Sequence, residues 1–144
     1  MTTTSMSAAS TMTTFALRLR PGDDLTDTLD TLAREQQIEA ACVLTCVGSL
    51  RRAVIRLADQ EQWTVFDRKF EIVSLTGVLS RHGSHYHIAL ADSQGKSLGG
   101  HIGSGCEVYT TAEIVLGVLP QLQFLRELDE TTGYPELSIR RYES

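Results

Sequence analysis

Residues 70–103, FEIVSLTGVLSRHGSHYHIALADSQGKSLGGHIG, contain the pattern that decides the fold. The first part, residues 70–80, is dense in β-branched and apolar residues and indicates a strand, in which Gly77 predicts a bend or a bulge. HYHIALAD then leads through the polar turn SQGK into SLGGHIG, an order typical of a β-hairpin. We therefore predict a strand followed by a hairpin at the centre of the chain.

The segments on either side add further strands. FALRLR (15–20) alternates apolar and polar residues, and IEAACVLTCVGSL (38–50) is nearly continuously apolar, as in a strand covered on both faces. Gly48-Ser49 predicts a break or a bulge before RRAVIRLA (51–58). VYTTAEIVLGVL (108–119) favours a strand by its β-branched density. QLQFLRELD (121–129) permits a helical turn or a strand, and we assign it as a strand.

One segment has helical periodicity. Leu25, Leu29, Leu32 and Ala33 form an apolar stripe, and Asp24 is a suitable N-cap, so the sequence predicts a helix over Asp24–Gln37. The predicted fold class is therefore α+β, with an N-terminal helix and a mostly antiparallel sheet. The Thr/Ser-rich residues 1–13 are predicted to be a disordered tail, and residues 14–144 a single domain.

Composition restricts the classes of function. The chain has 144 residues and a net charge of −5, which argues against strong autonomous nucleic-acid binding. No apolar run is long enough to span a bilayer, so no membrane association is expected. The three cysteines, Cys42, Cys46 and Cys106, form no CxxC pair and fit reduced thiols in a cytoplasmic protein.

All four histidines lie between residues 82 and 101. His85 and His87 are two apart on a predicted strand and therefore share a face, and the returning strand can place His101 beside them. Three neutral imidazoles are a natural Zn²⁺ site with an open fourth position. The alternative is a pair of ordinary surface histidines. His82, in the loop RHGS, is a weaker candidate for a ligand.

Other residues have two possible roles each, one at the metal site and one in packing or structure. Gly99 and Gly100 would let the backbone pass close to a metal cluster or to another strand. Glu113 would be partly buried, either to orient a metal-bound histidine or as a structural charge. Cys106 could complete a zinc shell but is more often a small buried residue.

Two basic clusters are visible along the chain. Arg51, Arg52 and Arg56 form one, and Arg140-Arg141 the other. Repeated on an oligomer, the first cluster could contact DNA or another anion. Solvated charges at strand ends are the alternative.

The chain resembles the "plants and prokaryotes conserved" (PPC) domain family. The resemblance rests on KFEIVSLTGVLS, HYHIALADSQGKSLGGHI, GCEVYTTAEIVLGVL and FLRELDETTGYPEL, and runs from about Phe15 to Ile139. It implies an α+β fold and a homotrimer, as in bacterial single-domain members that are commonly labelled DNA-binding. The H-x-H and G-G-H elements of metal-containing members correspond to His85, His87 and His101. Two departures are the absence of an Arg-Gly-Arg-Pro AT-hook and the presence of Arg68-Lys69 where members often have Gly-Arg.

Three functional hypotheses follow. The first is a DNA-binding or regulatory homotrimer with a three-histidine metal site, whose partner is DNA or another protein. The second is a zinc-dependent enzyme or small-ligand sensor that uses the same site. The third is a structural role, in which the ion stabilises the hairpin or the subunit interface. In the first hypothesis, VYTTAEIVLGVL would supply the subunit interface.

Overall fold

The computed structural model describes residues 2–142, with side chains from residue 6 onward. Within these residues the chain forms ten strands and one helix. In chain order they are β1 (Thr2–Ser5), β2 (Thr13–Leu19), α1 (Leu25–Glu35), β3 (Ala41–Arg56), β4 (Thr64–Phe66), β5 (Phe70–Ser80), β6 (Gly83–Ala91), β7 (Ser97–Ile102), β8 (Glu107–Val118), β9 (Leu122–Leu128) and β10 (Pro135–Tyr142).

The strands form two sheets, and every pairing is antiparallel. The larger sheet has the order β2-β8-β3-β5-β6-β7, with β4 also paired to β3. The end of β3 pairs with β7 as well, so β3, β5, β6 and β7 close into a ring of hydrogen-bonded neighbours. The smaller sheet has the order β1-β10-β9. The mostly antiparallel architecture agrees with the prediction.

Strand β3 is the longest element and connects the parts of the large sheet. It runs unbroken for 16 residues, so the predicted interruption at Gly48-Ser49 is a bulge within one strand. A Cβ on Gly48 would lie 2.0 Å from the carbonyl oxygen of Thr111, and this close approach of β8 explains the glycine. In β5 the irregularity lies between Ile72 and Ser74 rather than at Gly77.

The helix differs slightly from its prediction. Helix α1 follows β2 in the chain, so it does not open the fold as an N-terminal element. The carboxylate of Asp24 accepts a hydrogen bond from the backbone N–H of Asp27, which caps the first turn as expected. The helix ends at Glu35, two residues before the predicted end, because Gln37 adopts a left-handed backbone conformation with φ of 52°.

The core lies between α1 and the concave face of the large sheet. Leu25, Leu29 and Ala33 of the helix are fully buried there. Tyr86 of β6 is also buried, and its hydroxyl donates a hydrogen bond of 2.9 Å to the carboxylate of Asp30. This bond fixes the helix to the strand that carries His85 and His87.

The outer face of β3 is not covered by the side chains that the structure describes. Leu44 is 46% exposed and Val47 58% exposed, so the expectation of a strand covered on both faces is wrong for the isolated chain. By contrast, Val108, Ile114 and Leu116 of β8 are buried in the core. The apolar residues of VYTTAEIVLGVL are therefore largely used within the chain.

β4 and β10 were not expected from the sequence. Thr2–Ser5, within the segment predicted as a tail, pairs with β10, and Ser5 lies opposite Ile139. The domain boundary at residue 14 stays a prediction. No helix among the described residues combines the length and the hydrophobicity that a membrane crossing requires.

Candidate metal centre

The backbone register brings three histidines together. His87 of β6 lies directly opposite His101 of β7, and His85 lies two residues earlier on β6. Alternation along β6 puts His85 and His87 on the outer face while Tyr86, between them, points into the core. The hairpin predicted from the sequence is thus responsible for the cluster.

The side chains of the three histidines converge. Their candidate ligand nitrogens all lie within 4.8 Å of one another, and the Nε2 atoms of His85 and His87 are 3.1 Å apart. Two nitrogens bound to one tetrahedral zinc ion at about 2.0–2.1 Å would be separated by about 3.3–3.4 Å. The separation of His85 and His87 therefore matches a shared ion, and His101 lies close enough to be the third ligand of the group.

One atom of His101 supports the same interpretation. Its Nδ1 is buried and has no hydrogen-bond partner among the described residues. A buried ring nitrogen without a partner is costly, and either a metal or a bound small molecule would compensate for it. The indole of Trp63 covers the same ring, with ring centroids 5.7 Å apart.

The environment favours the neutral form of two of these imidazoles, those of His85 and His101. Burial lowers the pKa of His101 to about 4, and the nearby His85 and Arg56 act in the same direction. Burial also lowers the pKa of His85, with a contribution from His87. Since only a neutral imidazole can bind a cation, all these effects favour metal binding near neutral pH.

His82 is separate from the cluster. Its Nε2 lies 2.8 Å from a carboxylate oxygen of Glu39, which also forms an ion pair of 2.9 Å with Arg81. His82 therefore belongs to a surface charge network at the start of the hairpin, as its loop position suggested.

Gly99 and Gly100 serve the packing of strands. A Cβ on Gly99 would lie 2.1 Å from the carbonyl oxygen of Ile88 in β6. A Cβ on Gly100 would lie 2.9 Å from the carbonyl oxygen of Arg56 in β3. These glycines let β7 approach both neighbours, so that His101 reaches the other two histidines. Of the two readings offered for them, close passage of another strand is the one that the geometry supports.

Glu113 lies elsewhere on the large sheet. It is exposed on β8, where it lies opposite Val47 of β3 and Arg18 of β2. The expectation of partial burial is wrong because the Glu113 side chain points to the outer face of β8, while Ala112 and Ile114 beside it are buried. Its role as a partner of a metal-bound histidine stays untested, and its position gives that role no support.

Cys106 is fully buried, and its sulfur accepts a hydrogen bond of 3.3 Å from the backbone N–H of Val54. Burial raises the pKa of its thiol to about 11, which disfavours the thiolate that zinc would need. The cysteine is part of the core.

The three arginines of the predicted basic cluster separate. Arg51 forms an ion pair with Glu107, and Arg52 lies 3.9 Å from a carboxylate oxygen of Asp67. Arg56 lies opposite His101 and lines a cleft beside the histidines. The cluster is therefore not one continuous basic surface in the chain.

The cleft also contains residues that the sequence did not single out. Arg126 of β9 and Glu136 of β10 line it together with His85 and His101. The smaller sheet brings them there, and one contact that joins the two sheets is the hydrogen bond of 2.7 Å from the Ser80 hydroxyl to the Phe124 carbonyl. No local sequence pattern announces such a long-range approach. Only their presence in FLRELDETTGYPEL, among the family-like segments, pointed to this region.

Comparison with known proteins places this chain. The model of the Plants and Prokaryotes Conserved (PCC) domain matches residues 6–120. The chain belongs to this family. It is the same family that was abbreviated PPC above, so the resemblance seen in the sequence is confirmed. The matched segment begins nine residues before Phe15, where the resemblance in the sequence starts. It ends at residue 120, in the turn that precedes β9 and short of Ile139, where the resemblance ends.

Related PCC-domain sequences occur within longer proteins. The chain is 46% identical over 127 residues to the bifunctional protein GlmU of Synechococcus sp. strain JA-3-3Ab. This match includes 88% of the chain and 20% of that protein. The chain thus spans about a fifth of the length of the curated relatives it matches.

Solved structures share the PCC fold. A hypothetical protein from Salmonella is 41% identical, with a TM-score of 0.92 over 94% of this chain and 99% of that one. A metal-containing protein from Archaeoglobus fulgidus is 30% identical, with a TM-score of 0.78 over 91% and 99% of the two chains. A protein from Ralstonia eutropha JMP134, named as a candidate for DNA binding, is 24% identical, with a TM-score of 0.74 over 85% and 88%, and shows the fold alone.

Proposed function

We propose that this PCC-domain protein binds one divalent metal ion, Zn²⁺, through His85, His87 and His101 and acts as a regulatory homotrimer that senses a small ligand at that site. The convergence of three imidazoles, whose candidate ligand nitrogens lie within 4.8 Å of one another, carries the proposal. The metal-containing relative from Archaeoglobus fulgidus, 30% identical, supports it.

The chain's own residues account for binding. The β6–β7 register fixes the spacing of the ligands, and the partly buried setting of His101 keeps its ring neutral. When bound, zinc would supply a Lewis acid with a coordination position free for water or another small ligand. Such a position suits a sensor, and it also suits a zinc-dependent enzyme, which is the alternative reading of the same site.

Trimer formation is supported by the uncovered face of the large sheet. Leu44 and Val47 of β3 and Val73 of β5 are 46%, 58% and 59% exposed. A group of exposed apolar side chains on neighbouring strands is typical of a subunit contact. We propose this face, rather than β8 as a whole, as the trimer interface.

DNA is the second candidate partner, because two solved structures of the same fold are named as candidate DNA-binding proteins. The net charge of −5 and the carboxylates paired with Arg51 and Arg52 weigh against tight binding. A gel-shift series with duplex DNA at rising salt tests it, and absence of a shift at low ionic strength would reject it. The cytoplasmic location is proposed from the three free cysteines.

Elemental analysis combined with solution mass tests the main proposal. Protein purified without a polyhistidine tag is expected to contain one zinc per chain at the mass of a trimer. Dialysis against a chelator should remove the metal and lower the melting temperature. A normally folded protein that cannot be loaded with zinc, cobalt or another divalent ion would refute the metal site.

A further inference from the structure

We propose that the cleft beside the three histidines binds a small-molecule carboxylate, which Arg56 and Arg126 recognise next to the metal. This inference rests on the proposed metal site and names the class of ligand that the site would take. It depends on the placement of two arginines that come from different sheets.

The cleft is large enough for a small organic molecule. Its volume is about 430 Å³, and it opens at the outer face of the β6–β7 hairpin. The large sheet supplies His85, His101 and Arg56 to its lining, and the small sheet supplies Arg126 and Glu136. A molecule in the cleft would therefore contact the histidine cluster and both arginines together.

Among the described side chains, Arg56 and Arg126 are the arginines that are partly buried and also lack a carboxylate partner. Arg51, Arg81 and Arg140 each form an ion pair with a glutamate. In the part of the chain with described side chains, no carboxylate lies within 4.0 Å of the guanidinium groups of Arg56 or Arg126. A half-buried guanidinium without a partner is unfavourable, and a bound anion would compensate for it.

Arg56 and Arg126 add positive charge to the cleft that the histidines line. Arg56 and Arg126 line the same cleft as His85 and His101, so two positive charges lie near the candidate metal ligands. A divalent cation on the imidazoles would add to this positive potential. A negatively charged ligand is therefore the class that the cleft favours.

Other residues of the wall favour a carboxylate over a phosphate. Glu136 lines the same cleft as Arg56 and Arg126, so the net positive charge of these side chains is small. Each carboxylate group of an organic ligand carries one negative charge, whereas a phosphate group concentrates about −1.5 to −2 charges and would be repelled more strongly by Glu136. Tyr134 and Pro135 line the rim and offer apolar surface to the carbon chain of an organic ligand.

The test uses full-length protein loaded with Co²⁺, whose visible spectrum reports changes in coordination, and succinate as the probe. Succinate is expected to change the cobalt spectrum saturably. Arg126→Gln and Arg56→Gln should each weaken succinate binding by about tenfold or more, because each removes a charge-assisted hydrogen bond. Arg140→Gln, which lies outside the cleft, is the matched control and should bind succinate as the unmodified protein does. Inorganic phosphate is titrated in parallel.

The outcomes separate this inference from the metal site. Metal content is measured independently for each variant, and the arginine variants are expected to retain one ion per chain. Cobalt bound with no response to succinate, a response unchanged in both cleft variants, or a response to phosphate only would overturn the carboxylate site and leave the metal site intact. Failure to bind cobalt at all would overturn both proposals.

Discussion

His87 lies directly opposite His101 in the antiparallel pairing of β6 and β7. The distance between their rings is therefore set by the backbone hydrogen bonds of the hairpin rather than by flexible loops. A shift of one residue in this pairing would turn the imidazole of His101 to the other face of the sheet. The rigidity of the cluster is therefore a property of strand register.

Replacement of His87 should abolish metal binding without unfolding the chain. His87 is exposed on β6 and its neighbour Tyr86 provides the buried contact, so His87→Ala removes a ligand and little packing. We expect metal affinity to fall by about 100-fold or more, as measured by elemental analysis after dialysis against a weak chelator. His82→Ala, outside the cluster, should retain one ion per chain. Equal metal content in both variants would contradict the proposed ligands.

The metal-free protein should lose stability as the pH falls. The pKa of His101 is about 4 in the folded chain, against about 6.5 for an unfolded histidine. Between these values the unfolded state binds more protons, so the free energy of unfolding decreases from about pH 7 to about pH 4 and then levels off for this group. Urea unfolding in the presence of a chelator, at several pH values, measures this slope.

His101→Gln should make that slope shallower, since it removes the group that resists protonation. His82→Gln serves as the control because its ring lies outside the cluster. If the His101 variant keeps the full pH dependence of the unmodified protein, another group is responsible.

A charge on the exposed apolar face should prevent trimer formation. Val47 is 58% exposed in the single chain, so Val47→Asp costs little within the chain but would place a carboxylate in the proposed interface. Light scattering is expected to give a mass near 15.9 kDa instead of three times that value. Leu128→Asp, at a position 70% exposed on β9, is the control and should remain trimeric. A trimeric Val47 variant would place the interface elsewhere.

Adding one methyl group to Gly99 should disturb the hairpin. The Cβ of Gly99→Ala would lie 2.1 Å from the carbonyl oxygen of Ile88, so β6 and β7 must separate. We expect the free energy of unfolding to fall by about 1–3 kcal/mol and metal affinity to weaken, because His101 moves with β7. Ser97→Ala, on the exposed end of β7, should change neither quantity appreciably. Chemical unfolding and metal titration of both variants provide the comparison.

The strands around the histidines were predictable because their signals are local. Alternation in β2, the turn between β6 and β7, and the N-cap at Asp24 all depend on residues close together in the chain. The H-x-H spacing placed His85 and His87 on one face for the same reason. The position of His101 required the correct register of a single hairpin.

The rest of the candidate site depends on contacts between distant segments. β10 begins at Pro135, directly after the DETTGY turn, and its two apolar positions Leu137 and Ile139 are too few to indicate a strand by alternation alone. Arg126 and Glu136 reach the cleft only because β9 and β10 pair and the small sheet packs against the hairpin. Likewise, Arg51 and Arg56 are five residues apart in β3 but lie in different places. Arg51 is next to Glu107 at the start of β8, whereas Arg56 is paired with His101 of β7.

That long strand has one further consequence. β3 carries Val47 on the uncovered face and Arg56 in the cleft, and no loop interrupts the nine peptide units between them. A small shift or twist of the strand would therefore move both Val47 and Arg56. Ligand binding in the cleft and assembly of the trimer would then be thermodynamically linked. A ligand in the cleft would change the dissociation constant of the trimer, and trimer assembly would change the affinity for the ligand.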